Sequence, residues 1–210
     1  MIEWKNLSWE HLTYPDTTLT TPGVYFITGD SGVGKSTLLY LLNERKTKTT
    51  GDILYNHIPI EKIDPLTLRQ HVLLVEQAPY LLNGTIKENF AFIYNQRHLP
   101  LLSDNEMIHY LTLCCLNKPL SARCDSLSGG ERQRVFLAIA LSLNSEVILL
   151  DEPTSALNES LAQQLMENMI TFAKTHQKTL LIVSHSQALI EKYGQNKIHI
   201  GGHHDTSHSN

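Results

Sequence analysis

The chain has 210 residues, 41% of them hydrophobic and 18% charged, and a net charge of −4. That length suits one domain with a sizeable core, and the composition excludes disorder, collagen and coiled coil for the bulk of the chain. The acidic balance excludes a global basic field directed at nucleic acid or anionic lipid, so no nucleic-acid partner is expected.

In chain order, the opening MIEWKNLSWEHL has no basic flank followed by an apolar run, so no signal peptide is expected. Trp4, Leu7 and Trp9 among polar neighbours predict an arm of short strands over the first 20 residues. Four short apolar runs follow, at 24–28, 72–76, 147–151 and 180–184. Without alternation, such runs suit strands buried on both faces of a parallel sheet. Helical patterns lie between them. Residues 35–42 follow a glycine-rich turn, and 159–175 place Leu161, Leu165, Met169 and Phe172 on one face. This alternation predicts an α/β fold.

The middle of the chain reads differently. Ser103 and Glu106 form a capping box that opens a helix near 107–116. Residues 78–127 are therefore expected to be a small helical insert in an α/β core of 1–77 and 128–200, within one domain of 1–210. Residues 135–143 are apolar apart from Ser142, but that is half of the ~18–20 residues that span a bilayer. Cys114, Cys115 and Cys124 are odd in number and form no C-x-x-C pair, which points to a reducing cytosol rather than a disulfide framework. The tail, 201–210, is expected to be mobile. His199, His203, His204 and His208, with Asp205, are a composition that can bind divalent metals.

Two motifs carry chemistry by themselves. Gly29, Asp30, Ser31, Gly32, Val33, Gly34, Lys35 and Ser36 fit G-x-x-x-x-G-K-[ST], the phosphate-binding loop of P-loop NTPases. The motif follows a predicted strand and opens a predicted helix, which Thr37 continues. Its glycines let backbone N–H groups curl round phosphates, and the helix N-terminus adds partial positive charge. Lys35 is expected to reach the β- and γ-phosphates and the Ser36 hydroxyl to ligate Mg²⁺. Further on, an apolar strand ends in Asp151 and Glu152. Asp151 is expected to hold Mg²⁺, directly or through water, and Glu152 to polarise an attacking water.

Leu127-Ser128-Gly129-Gly130-Glu131-Arg132-Gln133 resembles the LSGGQ or LSGGE signature of the ATPase subunits of ATP-binding cassette (ABC) transporters. The resemblance covers nearly the whole chain, with the motifs in the family's order: phosphate loop, Gln77, signature, the Asp151–Glu152 pair, the Ser155–Asn158 loop and His185. Ser128 and Glu131 also form a capping box, which explains the helix start but not its two glycines, since Gly weakens a helical turn relative to Ala. Bare N–H groups there make a second anion site.

The resemblance implies an ABC ATPase core with an N-terminal antiparallel β arm and a helical subdomain. It implies ATP hydrolysis with Mg²⁺. Gln77 would touch Mg²⁺ and the attacking water, and His185 the γ-phosphate. Two chains would pair head to tail, with Ser128, Gly129 and Gly130 of one facing the nucleotide of the other. An aromatic of the arm, Trp9 first and Tyr14 second, would stack on adenine. The family's loop usually ends in Asp where Asn158 stands, and Asn158 is also a good N-cap.

Residues 83–90, NGTIKENF, resemble export-type cassettes, with Tyr80, Leu81, Leu82, Phe90 and Phe92 facing a permease helix. Residues 120–126 lack the TEVGE-like segment of fused exporters, so a stand-alone subunit is expected. The pattern is also similar to small stand-alone ATPases of iron-export systems. The implied location is the cytoplasmic face of a membrane, held there through the permease. The alternative is a soluble ABC ATPase acting on ribosomes or DNA; single-cassette length and net acidity weigh against it. A nucleotide sensor without turnover is disfavoured by the presence of Glu152 and His185.

Overall fold

The computed structural model describes residues 1–20, 22–78 and 80–201. The arm is β1 (Ile2–Trp9), β2 (Leu12–Thr13) and β3 (Thr17–Leu19). Alternation in β1 sends Ile2 and Trp4 into the core, and the Trp4 indole N–H donates to the Pro15 carbonyl at 2.8 Å. Next come β4 (Gly23–Thr28), α1 (Lys35–Leu42), β5 (Thr50–Tyr55) and β6 (Ile58–Pro59). β1 pairs antiparallel with β2, β3 and β5, and β5 pairs antiparallel with β6.

α2 (Pro65–His71) begins on an Asp64 cap with Pro65 at its first position, the signal expected of a helix start. β7 (Val72–Val75) follows directly. α3 (Ile86–Gln96), α4 (Asp104–Leu113) and α5 (Gly129–Ser142) each open on a capping box, from Thr85, Ser103 and Ser128. α4 stops short of residue 116 because Cys115 adopts a left-handed φ of 55°. The chain closes with β8 (Val147–Asp151), α6 (Glu159–Thr175), β9 (Thr179–Val183), α7 (Gln187–Tyr193) and β10 (Asn196–His199).

The second sheet is parallel throughout, in the order β10-β4-β9-β8-β7. Both its faces are buried, as the apolar runs require. Ile148, Leu150, Leu180 and Ile182 face α3–α7, while Val147, Leu149, Leu181 and Val183 face α1 and the antiparallel sheet. α1 is buried between the two sheets through Leu38, Leu39, Leu41 and Leu42. α3 and α4 lie within 78–127, and their Phe90, Tyr94, Met107 and Leu111 join the first of these clusters. Phe90 is fully buried, which corrects its expected place in a groove; Tyr80, at 71% exposure, remains outside.

Because every strand of this sheet runs the same way, the residues after β4, β7, β8 and β9 emerge at one edge. That is where ligands bind in open α/β sheets. Among the described residues no helix is long and apolar enough to cross a membrane. His199 ends β10, with Nδ1 3.3 Å from Thr28 Oγ1. His203, His204, Asp205 and His208 lie outside the described residues.

Candidate active site

The loop between β4 and α1 wraps round the start of α1. Gly34, its N-cap, has φ 92°; a Cβ there would lie 2.5 Å from Leu12 Cδ1 and 2.9 Å from Tyr14 Oη, so only glycine fits. The Tyr14 hydroxyl donates to the Gly34 carbonyl at 3.2 Å. Tyr14 is buried beneath the loop, and that burial pushes its pKa up to about 12. It supports the loop and offers no free face to a base, which corrects its place as an adenine-stacking candidate.

Lys35 is 5% exposed, and its ammonium donates to the carbonyls of Gly29 at 2.9 Å and Asp30 at 2.6 Å. Burial pulls its pKa down, while Glu152, Asp30 and Asp151 push it up. A cavity of about 250 Å³ opens beside it, lined by Gly32, Gly34, Lys35, Ser36, Thr37 and His185. A helix N-terminus, a buried ammonium and bare glycine backbone together fit a phosphate chain.

Ser36 Oγ donates to Asp151 Oδ1 at 2.9 Å, joining the start of α1 to the end of β8. Burial raises the Asp151 pKa, and the Ser36 hydrogen bond lowers it while the field of Glu76 raises it further. Two hard oxygen donors, one of them a carboxylate whose pKa burial raises, suit Mg²⁺. Gln77 is exposed beyond the end of β7; from that strand end it is Glu76, ion-paired with Arg45, whose charge reaches Asp151. The signal for Glu76 was in the sequence, since 72–76 ends in a carboxylate just as 147–151 does.

Glu152 follows with φ 52°, a left-handed conformation that costs a non-glycine residue about 1–3 kcal/mol. Its N–H donates to the Val183 carbonyl at 3.0 Å, and its carbonyl accepts from Gln133 Nε2 at 2.9 Å and Ser155 Oγ at 3.1 Å. Its carboxylate Oε1 lies 2.7 Å from His185 Nε2. Sequence reasoning identified Glu152 and His185 but neither their direct contact nor the part of Gln133 and Ser155.

At the start of α5, Glu131 N–H donates to Ser128 Oγ at 3.3 Å, and Ser128 N–H and Oγ–H donate to Glu131 Oε2 at 2.9 and 3.1 Å. These bonds and Lys118 pull the Glu131 pKa down to about 2. The two glycines behave differently. A Cβ on Gly129 would meet nothing within 4 Å, whereas one on Gly130 would come 3.1 Å from both the Ala156 carbonyl oxygen and Leu157 Cδ2. Gly130 therefore has a packing reason within its own chain. Both positions would gain helix propensity from Ala, so Gly129→Ala is expected to hold or raise Tm. Gly130→Ala should fall about 1–3 kcal/mol below it through overpacking. Identical melting curves for the two variants would rule out the Ala156 contact as the reason for Gly130.

Residues 13–155 match the family described as ABC transporter. The chain belongs to the ABC transporter family, as an ATPase domain. It is 38% identical over 167 residues to the protein STAR1 of Oryza sativa subsp. japonica, covering 79% of this chain and 48% of that one. It is 35% identical over 167 residues to ABC transporter I family member 17 of Arabidopsis thaliana, covering 79% and 63%. The chain thus spans about half to two-thirds of the length of these relatives. Among solved structures, the dimeric bacterial ABC transporter cassette MJ0796 superposes with a TM-score of 0.84 at 24% identity, covering 96% of this chain and 94% of that one.

Within this cassette, Asn158 caps α6, its Oδ1 accepting from the Leu161 N–H at 3.0 Å. Trp9 is partly buried and carries the Lys46 ammonium 3.8 Å from its ring centroid, a cation–π contact on one face.

Proposed function

We propose that the chain is an ATP-binding and ATP-hydrolysing subunit that pairs head to tail with a second copy around two nucleotides and drives transport by a separate membrane permease. One observation carries this reading: Lys35, the Ser36–Asp151 pair and the Glu152–His185 pair converge at the carboxyl ends of β4, β8 and β9. Lys35 and the loop amides from Gly29 to Thr37 hold the phosphates, and Trp9 stacks on the adenine. Ser36 and Asp151, with Gln77, would hold Mg²⁺, which when bound neutralises phosphate charge. Glu152 takes the proton of the attacking water, and His185 orients Glu152 and stabilises charge on the γ-phosphate.

The head-to-tail pairing is supported by the open space at Gly129 beside the Ser128 cap, and by the dimeric state named for the MJ0796 cassette. Export as the direction is supported by residues 83–90, and a permease contact on the insert, 78–127, by exposed Tyr80. Such a subunit works on the cytoplasmic face of a membrane, attached through the permease.

The test begins with binding. Lys35→Ala removes a buried, charge-assisted donor set, so its affinity for ATP should fall about ten- to a hundredfold in a fluorescent-nucleotide titration. Equal affinity in the variant and the wild-type chain, with no phosphate release in ATP and Mg²⁺, would overturn the reading.

A further inference from the structure

We infer that Gln133 is a positioning residue for Glu152: its amide N–H, reaching across from the second turn of α5, holds the carbonyl of Glu152 and with it the left-handed conformation that aims the carboxylate. This rests on the proposed role of Glu152 toward water. Gln133 lies on α5 three residues after Gly130, so the two share a helix face, and that face is turned to the 152–157 loop. Gly130 lets the loop come close; Gln133 then bonds it.

Three features set this contact apart from ordinary packing. First, Gln133 is 5% exposed, and its Oε1 is buried with no hydrogen-bond partner. A buried amide oxygen without a donor is unfavourable, so the amide is kept there for its other half, the N–H. Second, that N–H reaches the carbonyl of a residue whose own backbone is left-handed, at φ 52°, in the site. Third, among the described residues the other bonds of Glu152 go to Val183 of β9 at its N–H, Ser155 at its carbonyl and His185 at its carboxylate. Gln133 adds a restraint from a separate element, a helix that is itself packed in the core. Without it the residue can relax toward ordinary φ and swing the carboxylate away, while the phosphate loop is untouched.

Gln133→Met keeps the volume and removes the donor. It is expected to lower kcat about ten- to a hundredfold, the size of loss that a displacement near 1 Å produces, with KM and the ATP dissociation constant within about twofold of wild type. In a Glu152→Gln background the same substitution should leave the residual rate unchanged, because the group being positioned no longer acts. Ser155→Ala, at an exposed position that tolerates the change, should lower kcat in the same direction by a smaller factor and serves if Gln133→Met does not fold. Steady-state phosphate release, with thermal melting as the folding control, reads all of these. Full kcat in both Gln133→Met and Ser155→Ala, where Glu152→Gln is inactive, overturns the role of Gln133 and leaves that of Glu152 standing. Wild-type turnover in Glu152→Gln instead overturns the underlying reading. An equal fold-loss from Gln133→Met with and without Glu152→Gln would place its effect elsewhere and also overturn the proposal.

Discussion

Glu152→Gln is expected to bind ATP as the wild-type chain does and to hydrolyse it roughly 10²–10⁴-fold more slowly, the usual worth of a positioned general base. The amide keeps the shape of the side chain. It also keeps an oxygen that can accept from His185 Nε2, which now lies 2.7 Å from Glu152 Oε1. What it loses is the ability to take a proton. Binding is expected to persist because the Lys35 ammonium stays anchored on the Gly29 and Asp30 carbonyls and keeps the charges of Asp30 and Asp151 beside it when that of Glu152 is removed. Single-turnover phosphate release and a nucleotide titration on the same preparation separate the two properties. Hydrolysis at the wild-type rate would remove Glu152 from its role, and lost binding would mean that it holds the nucleotide rather than acting on water.

The second large effect concerns assembly. The phosphate loop follows β4 and opens α1, while the helix start at Ser128 and Gly129 belongs to α5, which packs on the opposite face of the parallel sheet from α1. Two chains related by a two-fold axis can bring each helix start to the other's nucleotide, and the arrangement closes on itself. The γ-phosphate would then be an acceptor for Ser128 Oγ–H, which in the single chain is donated to Glu131 Oε2. Glu152→Gln should therefore be monomeric when free of nucleotide or bound to ADP, and dimeric in ATP and Mg²⁺. Adding Ser128→Arg should abolish the dimer while ATP affinity stays within about twofold, because the bulk falls on the helix start and not on the phosphate loop. Light scattering reads the mass directly. A double variant that still dimerises, or a Glu152→Gln chain that stays monomeric in saturating ATP, would falsify the shared site.

Much of this architecture was legible residue by residue. The apolar runs became β4, β7, β8 and β9 with ends displaced by one residue at most, because a strand buried on both faces must be apolar at every position. The capping boxes at Ser103 and Ser128 formed as read, since a cap is decided by four consecutive residues. The phosphate loop is equally local. Its glycines, its lysine and its helix are contiguous, so a single stretch of chain determines both the shape and the charge of the cradle.

What the sequence alone left open are the relations between stretches far apart in the chain. Ser36 and Asp151 are 115 positions apart, and they meet because the strand order places β4 and β8 on either side of β9. Burial of Tyr14 under Gly34, the difference between Gly129 and Gly130, the reach of Glu76 to Asp151, and the bond from Gln133 to Glu152 have the same origin. Each depends on which element packs against which, at what distance and from which side. Local propensity carries no information about that; it is settled only when the parallel sheet closes its order and both faces are covered.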